Sequence, residues 1–190
     1  MFAQGDEASA IFYIEEGIAK KTYTSGDGRQ RILVLLKARE FFGTGCMSGR
    51  ATRQTTATAL TPCLVRRIEK AVMTEALCQN PRLANFFISY LIDRKTQYED
   101  SLVDHLFDSS EIRLARALLR LSSLGTGNDE QVTLPKVSQE TLAEIVGTTR
   151  SRINLFMNKL RQQGLVEYDN RIRVSAARLK QIVDQERSIP

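Results

Sequence analysis

The 190-residue sequence contains no tryptophan, one histidine and three cysteines. Cys46, Cys63 and Cys78 share no short metal-ligand spacing, and His105 has no ligand-type neighbour in sequence, so no metal site is predicted. The phosphate-binding loop, the G-x-S-x-G turn and the H-E-x-x-H helix motif are absent. We therefore predict that the chain is not an enzyme and that its thiols are buried or free, with a redox-sensing thiol as the alternative.

Long apolar runs are also missing. No stretch approaches the roughly 18 residues of a membrane-spanning helix, and the opening "MFAQGDEASA" has acidic residues where a secretory signal is basic and then apolar. The proportions of hydrophobic (42%) and charged (26%) residues are typical of a globular chain of one or two domains. The prediction is a cytoplasmic protein without membrane contact.

Positive charge is concentrated near the C-terminus. Between Thr148 and Lys180, eight Lys and Arg residues outnumber two acidic residues, which gives this segment a net charge of +6 against +5 for the whole chain. All other segments together therefore carry −1. Such a local excess favours a polyanionic partner more strongly than the total charge does.

The region around this basic segment is predicted to contain two short helices joined by a tight turn. Ser138 can cap the first helix, whose apolar residues follow helical spacing. Gly147 can adopt the left-handed conformation that ends a helix, and Thr148 or Thr149 can cap the next one. A glycine in the turn would allow the sharp change of direction that a helix-turn-helix requires.

The second helix is predicted to be amphipathic. Its apolar positions recur at i, i+3, i+4 and i+7, and they are Ile153, Phe156, Met157 and Leu160. The opposite side carries Arg150, Ser151, Asn154, Asn158 and Arg161. One face can pack on the domain, while the polar face can hydrogen-bond base edges in a DNA major groove.

A hairpin is predicted directly after this helix. The stretch "LVEYDNRIRV" indicates two short strands around Asp169 and Asn170, with Arg171 and Arg173 pointing outward toward DNA phosphates. Helix, turn and hairpin together predict a winged helix-turn-helix that binds DNA. The alternatives are an ordinary corner of a helical bundle, or a winged helix that binds protein.

The N-terminal half has a different pattern. From Ile11 to Ile68, β-rich stretches are separated by glycine and proline, which predicts a small antiparallel β structure. After Pro81, "RLANFFISYLIDRKTQYEDSLVDHLF" predicts one long helix. Its apolar seam comprises Leu83, Phe87, Tyr90, Leu91, Tyr98, Leu102 and Leu106. Such a seam can pack on the β structure, on a second copy of the chain, or on both.

The stretch "SQETLAEIVGTTRSRINLFMNKLRQQGLVEY" closely resembles the C-terminal winged helix of bacterial Crp/Fnr-type transcription regulators, and the resemblance extends over nearly the whole chain. It implies an α+β fold: a cyclic-nucleotide-binding-type antiparallel β-roll at 1–80, a dimerisation helix at 81–107 and a winged helix-turn-helix DNA-binding domain at 108–190. Because the family would already be inside its roll at "MFAQGDEASAIFYIEEG", we expect an N-terminally shortened roll.

The resemblance further implies a homodimer that binds palindromic operators in double-stranded DNA, responds to a small effector and contacts RNA polymerase. The expected dimer interface is Phe87, Tyr90, Leu91, Tyr98 and Leu102. The expected DNA-contacting residues are Thr149, Arg150, Ser151, Arg152, Asn154, Asn158, Lys159, Arg171 and Arg173. The alternative is an effector-binding module whose winged helix mediates protein contact.

Two departures limit what the resemblance implies about the operator. The glutamate that many relatives use to read a base falls on Ser151, and their accompanying arginine falls on Leu155. The operator sequence of the best-known members therefore does not transfer to this chain.

The effector loop departs from the family pattern as well. Relatives that bind cyclic nucleotides have F-G-E followed by R-S or R-T; here Phe42, Gly43 and Arg53 match, Thr44 replaces the glutamate and Gln54 the hydroxyl residue. Loss of the glutamate forfeits a charge-assisted hydrogen bond of about 1.5 to 3 kcal/mol. We expect weakened, altered or absent cyclic-nucleotide binding, and no other cofactor is predicted. The alternative for Arg53 is a surface ion pair or a charge at the end of a strand.

Overall fold

The computed structural model describes the backbone of residues 1–128 and 130–187 and the side chains of 1–128 and 130–185. These residues form two compact units, one from Met1 to Leu106 and the other from Phe107 onward. The first unit contains the strands β1 (Ala10–Glu16), β2 (Ala19–Thr24), β3 (Gln30–Leu36), β4 (Phe41–Phe42), β5 (Thr56–Ala59) and β6 (Leu64–Glu69).

The strands of the first unit make two antiparallel three-stranded sheets, in the orders β4-β1-β6 and β3-β2-β5. This arrangement confirms the predicted antiparallel β-roll. At the turn between β1 and β2, Gly17 has φ +90°, and a Cβ there would lie 2.2 Å from the carbonyl oxygen of Pro62. Glycine is therefore required at this turn by conformation and by space.

The near-continuous apolar run of β1 reflects burial on both faces of the strand. Phe12 and Ile14 pack with Leu36 and Phe42 in a core between the sheets, and the Phe2 ring packs against the same cluster. Ile11 points the other way, into a second cluster whose buried members are Ala8, Ile11, Cys46, Met73 and Phe87. The roll is thus held by two apolar layers that share β1.

Two helices follow the roll in sequence: α1 (Lys70–Gln79) and α2 (Pro81–Phe107). The long helix begins at Pro81, as predicted. Proline is favoured at the first position of a helix, because the N–H group that it lacks would have no partner within the helix there. The side-chain oxygen of Asn80 accepts a hydrogen bond from the Leu83 N–H at 3.1 Å and so caps this end. None of the described helices is both long and apolar enough to cross a bilayer.

The second unit combines helices with a small sheet. Its helices are α3 (Ser110–Ser122), α4 (Gln139–Val146), α5 (Arg150–Gln162) and α6 (Ala176–Arg187). Its strands β7 (Thr126–Asn128), β8 (Gln131–Thr133), β9 (Val166–Tyr168) and β10 (Ile172–Val174) form an antiparallel sheet in the order β7-β8-β10-β9. Leu118, Leu142, Ile153 and Leu179 are fully buried in its core. The predicted winged helix-turn-helix is confirmed.

Candidate nucleic-acid interface and ligand cavity

The turn between α4 and α5 has the cap geometry that the sequence predicted. The Ser138 hydroxyl accepts a hydrogen bond from the Thr141 N–H at 3.0 Å and caps α4. Gly147 ends that helix with φ 74° and ψ 38°, the left-handed conformation. Of the two candidate threonines, Thr149 caps α5, because its hydroxyl accepts from the Arg152 N–H at 3.3 Å.

An arginine on α3 is hydrogen-bonded to the C-terminal end of α4, next to this turn. The Nε atom of Arg113 donates to the carbonyl oxygen of Val146 at 3.0 Å, and its Nη1 atom donates to the carbonyl oxygen of Asp108 at 2.8 Å. The last residue of α4 is therefore bonded to α3. The sequence gives no sign of this role of Arg113, because the link spans more than thirty residues and leaves no local pattern.

Helix α5 separates apolar and polar residues as predicted. Ile153, Met157 and Leu160 are buried. The predicted DNA-contacting side chains of this helix are all exposed: Arg150, Ser151, Arg152, Asn154, Asn158 and Lys159. The exposed face therefore presents guanidinium, ammonium, amide and hydroxyl groups together, and these are the groups that contact bases and phosphates.

The hairpin after α5 is formed by β9 and β10, with Ile172 and Val174 buried and Arg171 exposed. Arg173 is half-buried, and its Nε atom lies 3.2 Å from a Glu167 carboxylate oxygen on the paired strand. The wing thus has the predicted strands and alternation, but one of its two arginines already has an acidic partner.

Two basic residues of α5 also have acidic partners that no local sequence pattern indicates. Arg150 lies 3.1 Å from a Glu140 carboxylate oxygen on α4, and Lys159 lies 2.7 Å from Glu111 on α3. The Arg150–Glu140 pair is well exposed and the Lys159–Glu111 pair partly exposed, so each contributes at most about 1 kcal/mol. Within the described residues, Arg152 and Arg171 are exposed and form no ion pair.

A cavity of about 540 Å³ lies between the roll and α2 in the first unit. Its lining includes all the predicted effector residues, Gly43, Thr44, Arg53 and Gln54. Its basic lining residues are Lys21, Arg50, Arg53, Arg94 and Lys95, and Glu99 is the acidic one. Its apolar wall is formed by residues such as Leu36, Phe41, Leu91 and Leu102. The surroundings favour an anion with an apolar body.

Arg53 does not form the surface ion pair considered above. It is only 6% exposed, and its guanidinium donates to the carbonyl oxygens of Gly43 and Ala10 at 2.8 and 2.6 Å. The ring centroid of Phe2 lies 4.4 Å from its central carbon. Burial lowers the pKa of this guanidinium. Its Nε atom is buried without a hydrogen-bond partner among the described residues.

Helix α2 closes the other side of the cavity, and Arg94 is its most deeply buried charged residue there. Arg94, 9% exposed, lies 3.2 Å from the Glu40 carboxylate, and its Nη2 atom is buried without a described partner. Burial alone would lower the pKa of Arg94, but the Glu40 carboxylate and the Tyr98 and Tyr90 phenols outweigh it, so the pKa is raised. A charged residue within an apolar seam is the signal by which sequence reasoning could have found Arg94.

The expected dimer residues divide into two sets. Phe87 is 4% exposed inside the roll's own cluster, and the Tyr90 hydroxyl accepts from the Phe41 N–H and donates to the Phe41 carbonyl, each at 2.9 Å. Burial raises the pKa of that hydroxyl. Phe87 and Tyr90 therefore both pack on the roll of their own chain. Leu91, Tyr98 and Leu102 are exposed.

The thiols are unpaired: Cys46 is buried, Cys63 half-buried and Cys78 exposed. Across residues 1–128 and 130–187, no cluster of His, Cys, Asp and Glu side chains is suited to hold a metal ion.

Two family models match the chain. The model described as a cyclic nucleotide-binding domain matches residues 1–80, and the model described as a Crp-like helix-turn-helix domain matches residues 112–182. The CRP-like cAMP-activated global transcriptional regulator of Mycobacterium tuberculosis is 23% identical over 90% of this chain and 77% of its own length. The transcriptional regulator LdrP of Thermus thermophilus is 28% identical over 87% of this chain and 82% of its own.

Solved structures have the same fold. A CRP-family transcriptional regulator from Thermus thermophilus superposes with a TM-score of 0.83 at 22% identity, covering 97% of this chain and 92% of that one. FixK2 from Bradyrhizobium japonicum superposes with a TM-score of 0.82 at 17% identity, covering 95% and 90%. These likenesses extend over both units of the chain.

Proposed function

Since the chain belongs to the Crp/Fnr family of DNA-binding transcription regulators, we propose that two copies of it bind one palindromic operator through their α5 helices, under the control of an anionic effector in the roll. The observation that carries this proposal is the exposed polar face of α5 next to a capped glycine turn. We propose RNA polymerase as a further protein partner.

The proposed DNA contacts follow from the chemistry of the exposed side chains. Arg150, Ser151 and Asn154 lie on the first turns of α5, the part of a recognition helix that contacts base edges. Arg152, Lys159, Arg171 and Arg173 supply the charge that positions the domain on phosphates. Thr149 and Asn158 complete the proposed set on the same surface.

A symmetric dimer is proposed because recognition helices are commonly used in pairs about one DNA turn apart. Leu91, Tyr98 and Leu102 remain the candidate interface residues, and they are continuous along α2 with the exposed Leu106. An exposed apolar stripe of this kind is costly for an isolated chain and is typical of an interaction surface.

The proposed effector is an anion that binds in this cavity beside the Arg53 and Arg94 guanidinium groups. Two guanidinium groups in one lining favour an anion, because a buried cation is costly without a negative partner. A cyclic nucleotide phosphate fits this requirement, with Gly43 and Arg53 on one side and Arg94 on the other. Thr44 offers no carboxylate to a ribose hydroxyl, so we expect cyclic-nucleotide affinity about one to two decades below that of a glutamate-bearing site.

The effector controls DNA binding only if it binds the DNA-competent dimer better than the alternative arrangement. The test is selection from a randomised duplex pool with the purified chain at near-physiological salt, without nucleotide, with cyclic AMP and with cyclic GMP. An enriched palindrome supports the regulator, and its dependence on nucleotide identifies the effector. Enrichment without nucleotide retains the regulator and argues against cyclic-nucleotide control.

The Arg150→Ala variant separates this proposal from the alternative, an effector module whose winged helix contacts protein. It should lose operator affinity and keep its oligomeric state, because Arg150 is exposed on α5. Absence of steep salt dependence in duplex binding would favour the protein-contact alternative, since phosphate contacts release counterions.

A further inference from the structure

An apolar side chain lies on the polar face of α5. Leu155 is 65% exposed, whereas the apolar residues that anchor the helix, Ile153 and Met157, are almost fully buried. Leu155 follows Ser151 by one helical turn and precedes Asn158 by three residues, so these three side chains share one side of the helix. That side is the one proposed to enter the major groove.

The surroundings of Leu155 on the helix do not form an apolar patch. Ser151, Asn154, Asn158 and Lys159 are exposed polar or charged neighbours along α5. A protein-docking helix presents several apolar residues at i, i+3, i+4 and i+7, and α5 presents one on this side. A single apolar group among polar ones matches a partner surface that is itself polar with isolated apolar groups.

The major groove of DNA is such a surface. Its base edges are donors and acceptors, apart from the 5-methyl group of thymine, which is contacted by apolar side chains. We infer that Leu155 packs on a thymine methyl in each half-site and so selects a T·A pair there. This inference rests on the proposed function and adds a specificity-determining residue to it.

The position of that thymine is constrained by the helix. Ser151 and Leu155 are four residues apart, or about 6 Å along the helix axis, and base pairs are spaced by about 3.4 Å. The selected thymine should therefore lie within about two base pairs of the pair that Ser151 contacts.

The first test removes the methyl group from DNA instead of changing the protein. Once the operator has been selected from the randomised pool, each half-site thymine is replaced by deoxyuridine, one symmetric pair at a time. At one position, affinity should fall by about fourfold for each half-site, or about fifteenfold for the doubly substituted operator, which corresponds to about 0.8 kcal/mol per methyl. Unchanged affinity at every position would overturn the inference.

The second test uses Leu155→Ala and Leu155→Met. The alanine variant should bind the thymine and deoxyuridine operators equally, whereas the methionine variant should keep the discrimination because its side chain remains apolar and long. Val72→Ala, at an exposed apolar residue of α1, is the matched control and should behave as the unmodified chain. Equal discrimination by the alanine variant and the unmodified chain would also overturn the inference.

These outcomes separate the inference from the function on which it rests. An enriched operator that is indifferent to deoxyuridine would retain the regulator and reject the role of Leu155. A pool without any enriched sequence would reject both. The alanine variant should keep the salt dependence of DNA binding, because Leu155 carries no charge.

Discussion

The Nη1 atom of Arg53 lies 2.8 Å from the carbonyl oxygen of Gly43, the glycine that opens the cavity loop. The Nη2 atom of the same guanidinium bonds Ala10 at the start of β1. Arg53 therefore ties the loop to the central strand of a sheet and stacks on Phe2 as it does so. A residue proposed to bind the effector also supports the shape of its site, so its loss should affect stability as well as ligand binding.

Arg53→Ala should lower the free energy of unfolding of the first unit by about 2 to 4 kcal/mol. The substitution leaves two backbone carbonyl oxygens without their donor and removes a ring contact. Calorimetric unfolding of the full chain measures the loss. Arg50→Ala is the control, because that exposed loop arginine should change stability by less than about 0.5 kcal/mol. A similarly small effect of Arg53→Ala would contradict a structural role.

Glu40→Ala should destabilise the first unit by about 3 kcal/mol, because it leaves the Arg94 cation buried without its carboxylate. Combining it with Arg94→Met should recover part of that loss, since the buried charge is then gone. A double-mutant cycle measured by chemical unfolding gives the coupling energy. Lys95→Ala, in the exposed pair with Glu99, is the control and should cost less than about 1 kcal/mol. If the effects of the two single substitutions on the unfolding free energy added up to that of the double variant, Glu40 and Arg94 would not be coupled.

These two arginines illustrate what sequence patterns could predict. Arg53 was found through its loop motif, and the structure does bring it together with Gly43, Thr44 and Gln54. Its bonds to Gly43 and Ala10 could not be foreseen, because they depend on how the loop folds back on β1. Arg94 was missed, since helical periodicity identifies a seam but not the acidic residue that a neighbouring loop brings to it.

Helical patterns were more informative in the second unit. Caps at Ser138 and Thr149 and the turn at Gly147 depend on residues within three or four positions, so the sequence predicted them. The pairing of Arg150 with Glu140 depends on the angle between two helices and was not predicted. The burial of Phe87 in the roll's own cluster was not predicted either, because spacing does not tell which of two partners buries an apolar seam.

Arg178→Ala should lower the stability of the second unit by about 0.5 to 1.5 kcal/mol. The Arg178 guanidinium on α6 donates to the carbonyl oxygens of Gly164 and Gln163, each at 3.0 Å, at the C-terminal end of α5. Carbonyl groups at the C-terminal end of a helix lack intrahelical donors, and a cation there also interacts favourably with the negative end of the helix dipole. Lys180→Ala, at an exposed residue of the same helix, should have no measurable effect. Equal melting temperatures for the two variants would argue against capping.

Glu140→Gln should raise the affinity for DNA by up to about fivefold at low salt. The Glu140 carboxylate competes with DNA for Arg150, and an exposed pair of this kind contributes at most about 1 kcal/mol. Titration of a fluorescent operator over a salt series measures the change, which should shrink as salt rises. Glu16→Gln, at an exposed residue of β1, controls for the change in net charge. Weaker binding by Glu140→Gln would mean that the pair orients Arg150 for the base contact.

Leu106→Asp should dissociate the proposed dimer. Leu106 is 67% exposed on α2, one turn beyond Leu102, and it does not belong to the cavity lining that Leu91, Tyr98 and Leu102 share. A carboxylate buried in an apolar interface lacks a partner, so the substitution opposes association without disturbing the effector site. Sedimentation at micromolar concentration should give the mass of one chain.

The same variant connects oligomeric state to DNA binding. A monomer has one recognition helix, so Leu106→Asp should bind the full palindrome no better than a single half-site, while the unmodified chain prefers the palindrome strongly. Val72→Asp, which places the same charge on an exposed residue of α1, should sediment and bind as the unmodified chain does. If Leu106→Asp remained dimeric, another surface of the chain would have to form the interface, and the exposed seam of α2 would need a different partner.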